Sequence, residues 1–256
     1  MIDWTTAILI LAGVVGGIVN AVAGGATLIT FPLLLATGLP PVAANIANAI
    51  AVSPGHLLAV LADRRSLPVL DCHLYLLLLL SAAGGLAGAG LLLIIPDRLF
   101  TMPIPALIAG ATLLFALAPR IARTADSRES RESRHHGAKR RETGLLALTA
   151  IYGGFFGAGL GIILTAILSL SEPHDIRRIK AVKNLLASVV AIAANLFFLL
   201  RGAVHWPSAF PMLLGAIVGG YAGGHLVRVL PANVVRGVVL TAGSVMSIVY
   251  AFKYWI

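Results

Sequence analysis

Apolar residues in this chain arrive in long uninterrupted blocks. Positions 5–22, 41–62, 74–95, 102–118, 181–200, 208–227 and 234–252 each run for about 17–22 residues with few charges. A bilayer core about 30 Å thick takes roughly 20 helical residues, and blocks this long exceed what a buried helix of a soluble domain needs. The pattern predicts an all-α polytopic membrane protein. Composition strengthens this reading: of the 256 residues 59% are hydrophobic and only 11% charged, where a soluble domain carries about 25% charged residues. An ordinary cytosolic enzyme is excluded. Met1-Ile-Asp-Trp places no basic stretch before the first block, so a signal peptide is not expected. The single cysteine, Cys72, allows neither an internal disulfide nor a multi-cysteine metal site.

The net charge of +9 raises the question of nucleic acid. Eight of the 19 basic residues fall between Pro119 and Glu142, in a polar run that includes Ser127-Arg-Glu-Ser-Arg-Glu-Ser-Arg134 and Lys139-Arg-Arg141. Acidic residues interleave it, and beside membrane spans such a stretch serves chiefly to hold a loop in the cytoplasm. No nucleic-acid partner is expected. The expected organisation is a first transmembrane repeat over 1–118, a basic cytoplasmic linker over 119–142, and a second repeat over 143–256.

The two flanks match at an offset near 135 residues. Gly84-Gly-Leu-Ala-Gly-Ala-Gly90 then Pro96 corresponds to Gly219-Gly-Tyr-Ala-Gly-Gly224 then Pro231; Gly16–Gly25 corresponds to Gly153–Gly161; Asn48 falls opposite Lys183-Asn184. Duplicated transporters are either parallel or inverted across the membrane. With the linker inside, an inverted second half puts 16 basic residues inside and three outside (Arg98, Arg201 and Lys253), whereas a parallel one gives 12 and seven. The positive-inside rule therefore favours two inverted repeats. Inversion requires the opening segment of each half to return to its starting side. Residues 5–38 break at Ala23-Gly-Gly-Ala26, and 143–170 break around Gly157-Ala-Gly-Leu-Gly161. Each half thus reads as a broken, re-entrant helical hairpin plus three transmembrane helices, about eight membrane helices if each hairpin counts once. The glycine tips are expected to approach one another near the midplane.

Matched helix breaks point to a transport site, because unwound backbone inside a membrane survives only where protein or a water-filled cavity satisfies it. Gly24, Gly25, Gly159 and Gly161 are assigned to that site. Gly84, Gly88, Gly219 and Gly223 read instead as positions where helices pack closely. No Asp or Glu falls within a predicted span, which disfavours a pathway built on intramembrane carboxylates. Asn20, Thr27, Asn48, Lys183 and Asn184, with exposed backbone N–H groups at the breaks, suit a small oxyanion. Lys183 has two readings, a cation facing an anion inside the membrane or one that snorkels to the headgroups. His56 is a possible proton-coupling residue, or a hydrogen-bonded packing residue. There is no HExxH, GxSxG or Walker loop, and His135-His136 lacks a partner at helical spacing, so neither an enzyme nor a cofactor or metal site is expected.

Gly16–Leu35 followed by Gly38-Leu-Pro-Pro-Val-Ala-Ala-Asn-Ile-Ala-Asn48 resembles the opening signature of the sulfite exporter TauE/SafE family. Gly153–Gly161 followed by Lys180-Ala-Val-Lys-Asn184 resembles its second-half repeat. The resemblance covers essentially the whole chain. It implies a secondary transporter in the cell inner membrane, an exporter of small sulfur-containing anions such as sulfite or organosulfonates. The glycine signatures map to Gly24, Gly25, Gly159 and Gly161, and the basic motif to Lys183 and Asn184. The Ser-Arg-Glu linker is not a feature of that family. The partners expected are the anion, the lipid bilayer and a second copy of the chain in a homodimer. The alternative is a non-transporting membrane subunit or scaffold of a larger complex.

Overall fold

The computed structural model describes residues 4–22, 24–126, 135–169, 176–226 and 231–256. They form eleven α-helices: α1 Trp4–Val22, α2 Thr27–Ala36, α3 Pro41–Asp63, α4 Cys72–Ile94, α5 Asp97–Thr101, α6 Ile104–Asp126, α7 His135–Phe155, α8 Leu160–Leu168, α9 Ile176–Leu200, α10 Trp206–Leu226 and α11 Ala232–Trp255. Six stretches are long and apolar enough to cross a membrane: Trp4–Val22, Pro41–Ser66, Cys72–Ile94, Arg177–Leu200, Trp206–Leu226 and Asn233–Trp255. Ile104–Pro119 and Thr27–Ala36 are shorter apolar helices. Large apolar side chains such as Leu11, Leu79, Val218 and Phe252 remain exposed along them, as lipid-facing residues do. This is a polytopic membrane protein.

Both expected breaks are present. The chain turns at Gly24, with φ of 65°, between α1 and α2, and at Gly157 and Gly159, with φ of 75° and 77°, between α7 and α8. A left-handed backbone is open to glycine at little cost, which is why these positions end one helix and aim the next. α2 folds back along α1, with Thr30 against Gly16, so α1–α2 is a hairpin.

Helix contacts repeat under exchange of the two halves. α1 packs on α10 as α7 packs on α4; α3 packs on α10 as α9 packs on α4; α2 meets α11 as α8 meets α6. Counterparts α3 and α9 pair with each other, as do α6 and α11. Both self-pairs are antiparallel: Ala49 meets Asn195 while Asp63 meets Asn184, and Met102, Pro105 and Phe115 meet Trp255, Ser247 and Arg236. Each helix that pairs with its own counterpart therefore runs opposite to it, and the repeats are inverted. Arg64, Arg65, Arg177 and Lys180 lie at one end of the bundle, and Arg98, Arg201 and Lys253 at the other. Arg228 lies outside the described residues.

Small residues set the tightest contacts. α1 and α10 run parallel, with Gly13 against Met212 and Ala216, Gly17 against Ala216 and Gly220, and Gly223 against Ile18. A Cβ at Gly219 would overlap the Val14 carbonyl, and one at Gly88 the Ile151 carbonyl. Without a hydrophobic drive between helices in lipid, such close approach is a main source of association.

The described parts of the segment 119–142 are helical, more so than their composition suggests. α6 continues to Asp126, and α7 begins at His135. Glu142 is buried, 3.7 Å from His73 Nε2 on α4. Asp63, one position beyond the apolar block 41–62, is the last residue of α3.

Candidate functional site

Between α3, α9 and the α7–α8 break lies a cavity of about 50 Å³, space for a few water molecules or one small ion with part of its hydration. α3 contributes Asn45, Asn48, Val52, Ser53 and His56 to its wall, one helix face by their spacing. The break contributes Gly153, Gly154, Phe155, Phe156 and Gly157, and α9 contributes Val190, Ala194, Asn195 and Phe198. Thr27, the first residue of α2, completes the wall.

The break is held open by specific contacts. Tyr152 Oη donates to the Ala158 carbonyl at 2.6 Å, and Phe156 meets Phe31 of α2 edge-on, with centroids 5.3 Å apart. Asn45 Nδ2 donates to the Phe155 carbonyl at 2.7 Å, taking up one of the acceptors that a helix leaves at its C-terminus.

The residues assigned from sequence do not converge on one point. Thr27 and Asn48 meet at the cavity wall: Asn48 Nδ2 donates to Thr27 Oγ1 at 3.3 Å, and the Thr30 hydroxyl donates to Asn48 Oδ1. His56 lies further along the same wall. Lys183 is half-buried and crosses the first turn of α8, so that a Cβ at Gly161 would sit 3.9 Å from its Nζ. Asn20 packs its amide over Gly55 of α3. Asn184 is directed away from the cavity; its Nδ2 donates to Asp63 Oδ2 at 2.7 Å, and Lys180 Nζ is 3.6 Å from Asp63 Oδ1. The tips do not touch through glycine. Gly25 packs on Phe115 and Gly159 on Leu114, so consecutive residues of α6 separate them.

Three positions were not assigned from sequence. Asn45 lies one turn before Asn48 on the same face, a legible signal. Asn195 required knowing that α9 crosses α3 at Ala49, and Asp63 that the span runs past its apolar block. The cavity therefore has two unlike ends. One holds His56, with the Lys183 ammonium and the positive N-terminal end of α8 beyond it; toward the other lie the amides of Asn45 and, opposite Ala49 one turn on, Asn195. Among the described residues, no Asp or Glu lines it, and no group of three His, Cys, Asp or Glu could hold a metal ion.

The model of the family described as "Sulfite exporter TauE/SafE" matches residues 9–250. The chain belongs to the sulfite exporter TauE/SafE family. Like other members of that family it is a membrane transporter rather than an enzyme. A "Probable membrane transporter protein" of Haemophilus influenzae is 30% identical over 247 residues, covering 94% of this chain and 92% of that one. "Probable membrane transporter protein YfcA" of Escherichia coli K12 is 26% identical, covering 94% and 87%. "Probable membrane transporter protein ORF9" of a Sinorhizobium species is 27% identical, covering 94% and 90%. No solved structure matches the chain. The TauE/SafE match spans both breaks and takes in all four self-paired helices, α11 as far as residue 250.

Proposed function

We propose that this TauE/SafE protein is a secondary exporter of a small sulfur-containing oxyanion, sulfite or an organosulfonate, in the cell inner membrane. The basic end of the bundle, with the 119–142 segment, faces the cytoplasm, in keeping with the positive-inside rule. Substrate occupies the region between the two helix breaks and is exposed to each side in turn as the halves rock against one another. The observation that carries this reading is Lys183 lying across the first turn of α8. A cation inside the hydrocarbon is costly unless an anion or oxygen dipoles meet it, and the adjacent N-terminal helix end attracts the same negative charge. Thr27 and Asn48 supply a hydroxyl and an amide N–H on the route through the cavity, and Asn20 braces α1 on α3 beside His56.

The reading is tested with purified protein, by thermal unfolding with sulfite and sulfonates, against chloride, phosphate and acetate. A ligand at 100 times its Kd stabilises the folded state by about 2.7 kcal/mol. Sulfur oxyanions are expected to raise Tm selectively. Lys183→Met should abolish the shift, and Lys253→Met, at the opposite end of the bundle, should leave it in place. Equal loss in both variants, or no shift with any anion, refutes the site.

A further inference from the structure

The amide end of the cavity is chemically unlike the end proposed for the anion. Asn45 and Asn195 are only 3% and 8% exposed, and both line the cavity. Their orientation is set by their nitrogens: Asn45 Nδ2 donates to the Phe155 carbonyl, and Asn195 Nδ2 to the Ala49 carbonyl at 3.4 Å. Rotating either amide would bring oxygen against oxygen. That leaves Asn45 Oδ1 and Asn195 Oδ1, and neither has a hydrogen-bond partner among the described residues. Buried polar atoms are nearly always satisfied, so two orphan acceptors, one on α3 and one on α9, call for a ligand. Their ligand is an electron-pair acceptor, not an oxyanion.

These amides are not part of the repeated framework. The halves correspond at an offset of 135, as the starts of α3 at Pro41 and α9 at Ile176 show. At that offset Asn195 corresponds to Val60 and Asn45 to Lys180, so the repeat is built with neither amide in the other half. The C-terminal end of α7 also ends here, at Phe155, and carries partial negative charge. Interrupted helices in transporters present coupling cations with carbonyls and half-helix C-termini in this way. A divalent ion would call for carboxylates, which the wall lacks. His56, the titratable group on the wall, is 11 residues from Asn45 along α3, about 16 Å at 1.5 Å per residue. The anion's place at the Lys183 end is therefore apart from the cation's, although Asn48 of its route lies one turn from Asn45.

We propose that the Asn45–Asn195 end of the cavity binds a small alkali cation, sodium, through two side-chain amide oxygens beside the end of α7. Binding does not depend on which anion is carried; its consequence, sodium-coupled export, rests on the transporter reading above. The test is thermal unfolding of the purified protein in sodium chloride against choline chloride, at equal ionic strength and without sulfur anions. Wild type should show a saturable rise in Tm with sodium. Asn195→Val, which installs the residue of the other half, should remove it. Asn195→Asp adds a charged ligand and should lower the half-maximal sodium concentration roughly tenfold, as ligand charge does at other cation sites. It also keeps the test decisive if the valine variant does not fold. Identical Tm in the two salts, an equal rise in Asn195→Val, or an unchanged midpoint in Asn195→Asp overturns the proposal. Because no anion is present, that result is separate from failure of the sulfite assay.

Discussion

Adjacent glycines on α10 offer a sharp test of how the bundle is held together. Gly219 faces α1, where a Cβ would overlap the Val14 carbonyl oxygen and lie 2.7 Å from both Val14 C and Cα; a Cβ at Gly220 meets nothing within 4 Å. Alanine exceeds glycine in helix propensity by about 1 kcal/mol. At Gly220 that gain is unopposed, so Gly220→Ala is expected to stabilise by up to about 1 kcal/mol. At Gly219 the obstacles are backbone atoms of a packed helix, which cannot move aside as a side-chain tip can. Overpacking costs about 1–3 kcal/mol, with the upper part of that range applying here, for a net loss of about 2 kcal/mol. The two variants should differ by about 3 kcal/mol, or roughly 6–12 °C in Tm for a chain of this size. Thermal unfolding of both proteins in one detergent measures the difference directly. Equal Tm values would refute the claim that α1 and α10 associate through backbone contact.

Three further outcomes follow from single contacts. Tyr250 Oη donates to the Pro32 carbonyl at 2.8 Å within the buried core, so Tyr250→Phe should cost about 0.5–1.5 kcal/mol, read as a lower denaturation midpoint. Asp63→Leu leaves the Asn184 amide without its acceptor and should cost about 1–3 kcal/mol, while Asp63→Asn, which still offers an oxygen, should cost less; comparison of the two Tm values checks this. Asp71 caps α4 by accepting from Leu74 N at 2.8 Å, and that hydrogen bond holds its carboxyl below the ordinary value of 3.8. A depressed folded-state pKa contributes stability above the unfolded value, and the contribution is lost as pH falls below 3.8 through the folded value. Tm measured as a function of pH should therefore fall less steeply over that acid range in Asp71→Asn than in wild type.

Much of the fold was legible because membrane spans announce themselves by length and apolarity alone. The block 41–62 became Pro41–Asp63, and the breaks fell at glycines whose positive φ no neighbouring residue type would tolerate as well. Inversion was legible from where Arg98, Arg201 and Lys253 stand. The extent of α6 and α7 was not, since charged residues near span ends read as loop although helix continues through them to Asp126 and from His135. Proximity was harder still. Lys183 and Asn184 are neighbours in sequence, yet successive helical residues point about 100° apart, so one crosses α8 and the other reaches Asp63. Asn195 had no signature on its own helix, because its partner lies 146 positions away.

The self-pairing of α3 with α9 and of α6 with α11 means that exchanging the shapes of the two halves regenerates the same set of helix pairs, turned over in the bilayer. Under the alternating access proposed above, every conformation that opens toward one side thus has a twin that opens toward the other, and a perfectly repeated sequence would populate both equally. Divergence between the halves, with Lys183 standing where the first half has Asn48, is what tilts that balance. Substitutions that make the halves more alike should bring the two populations closer together, even at positions remote from any bound ion.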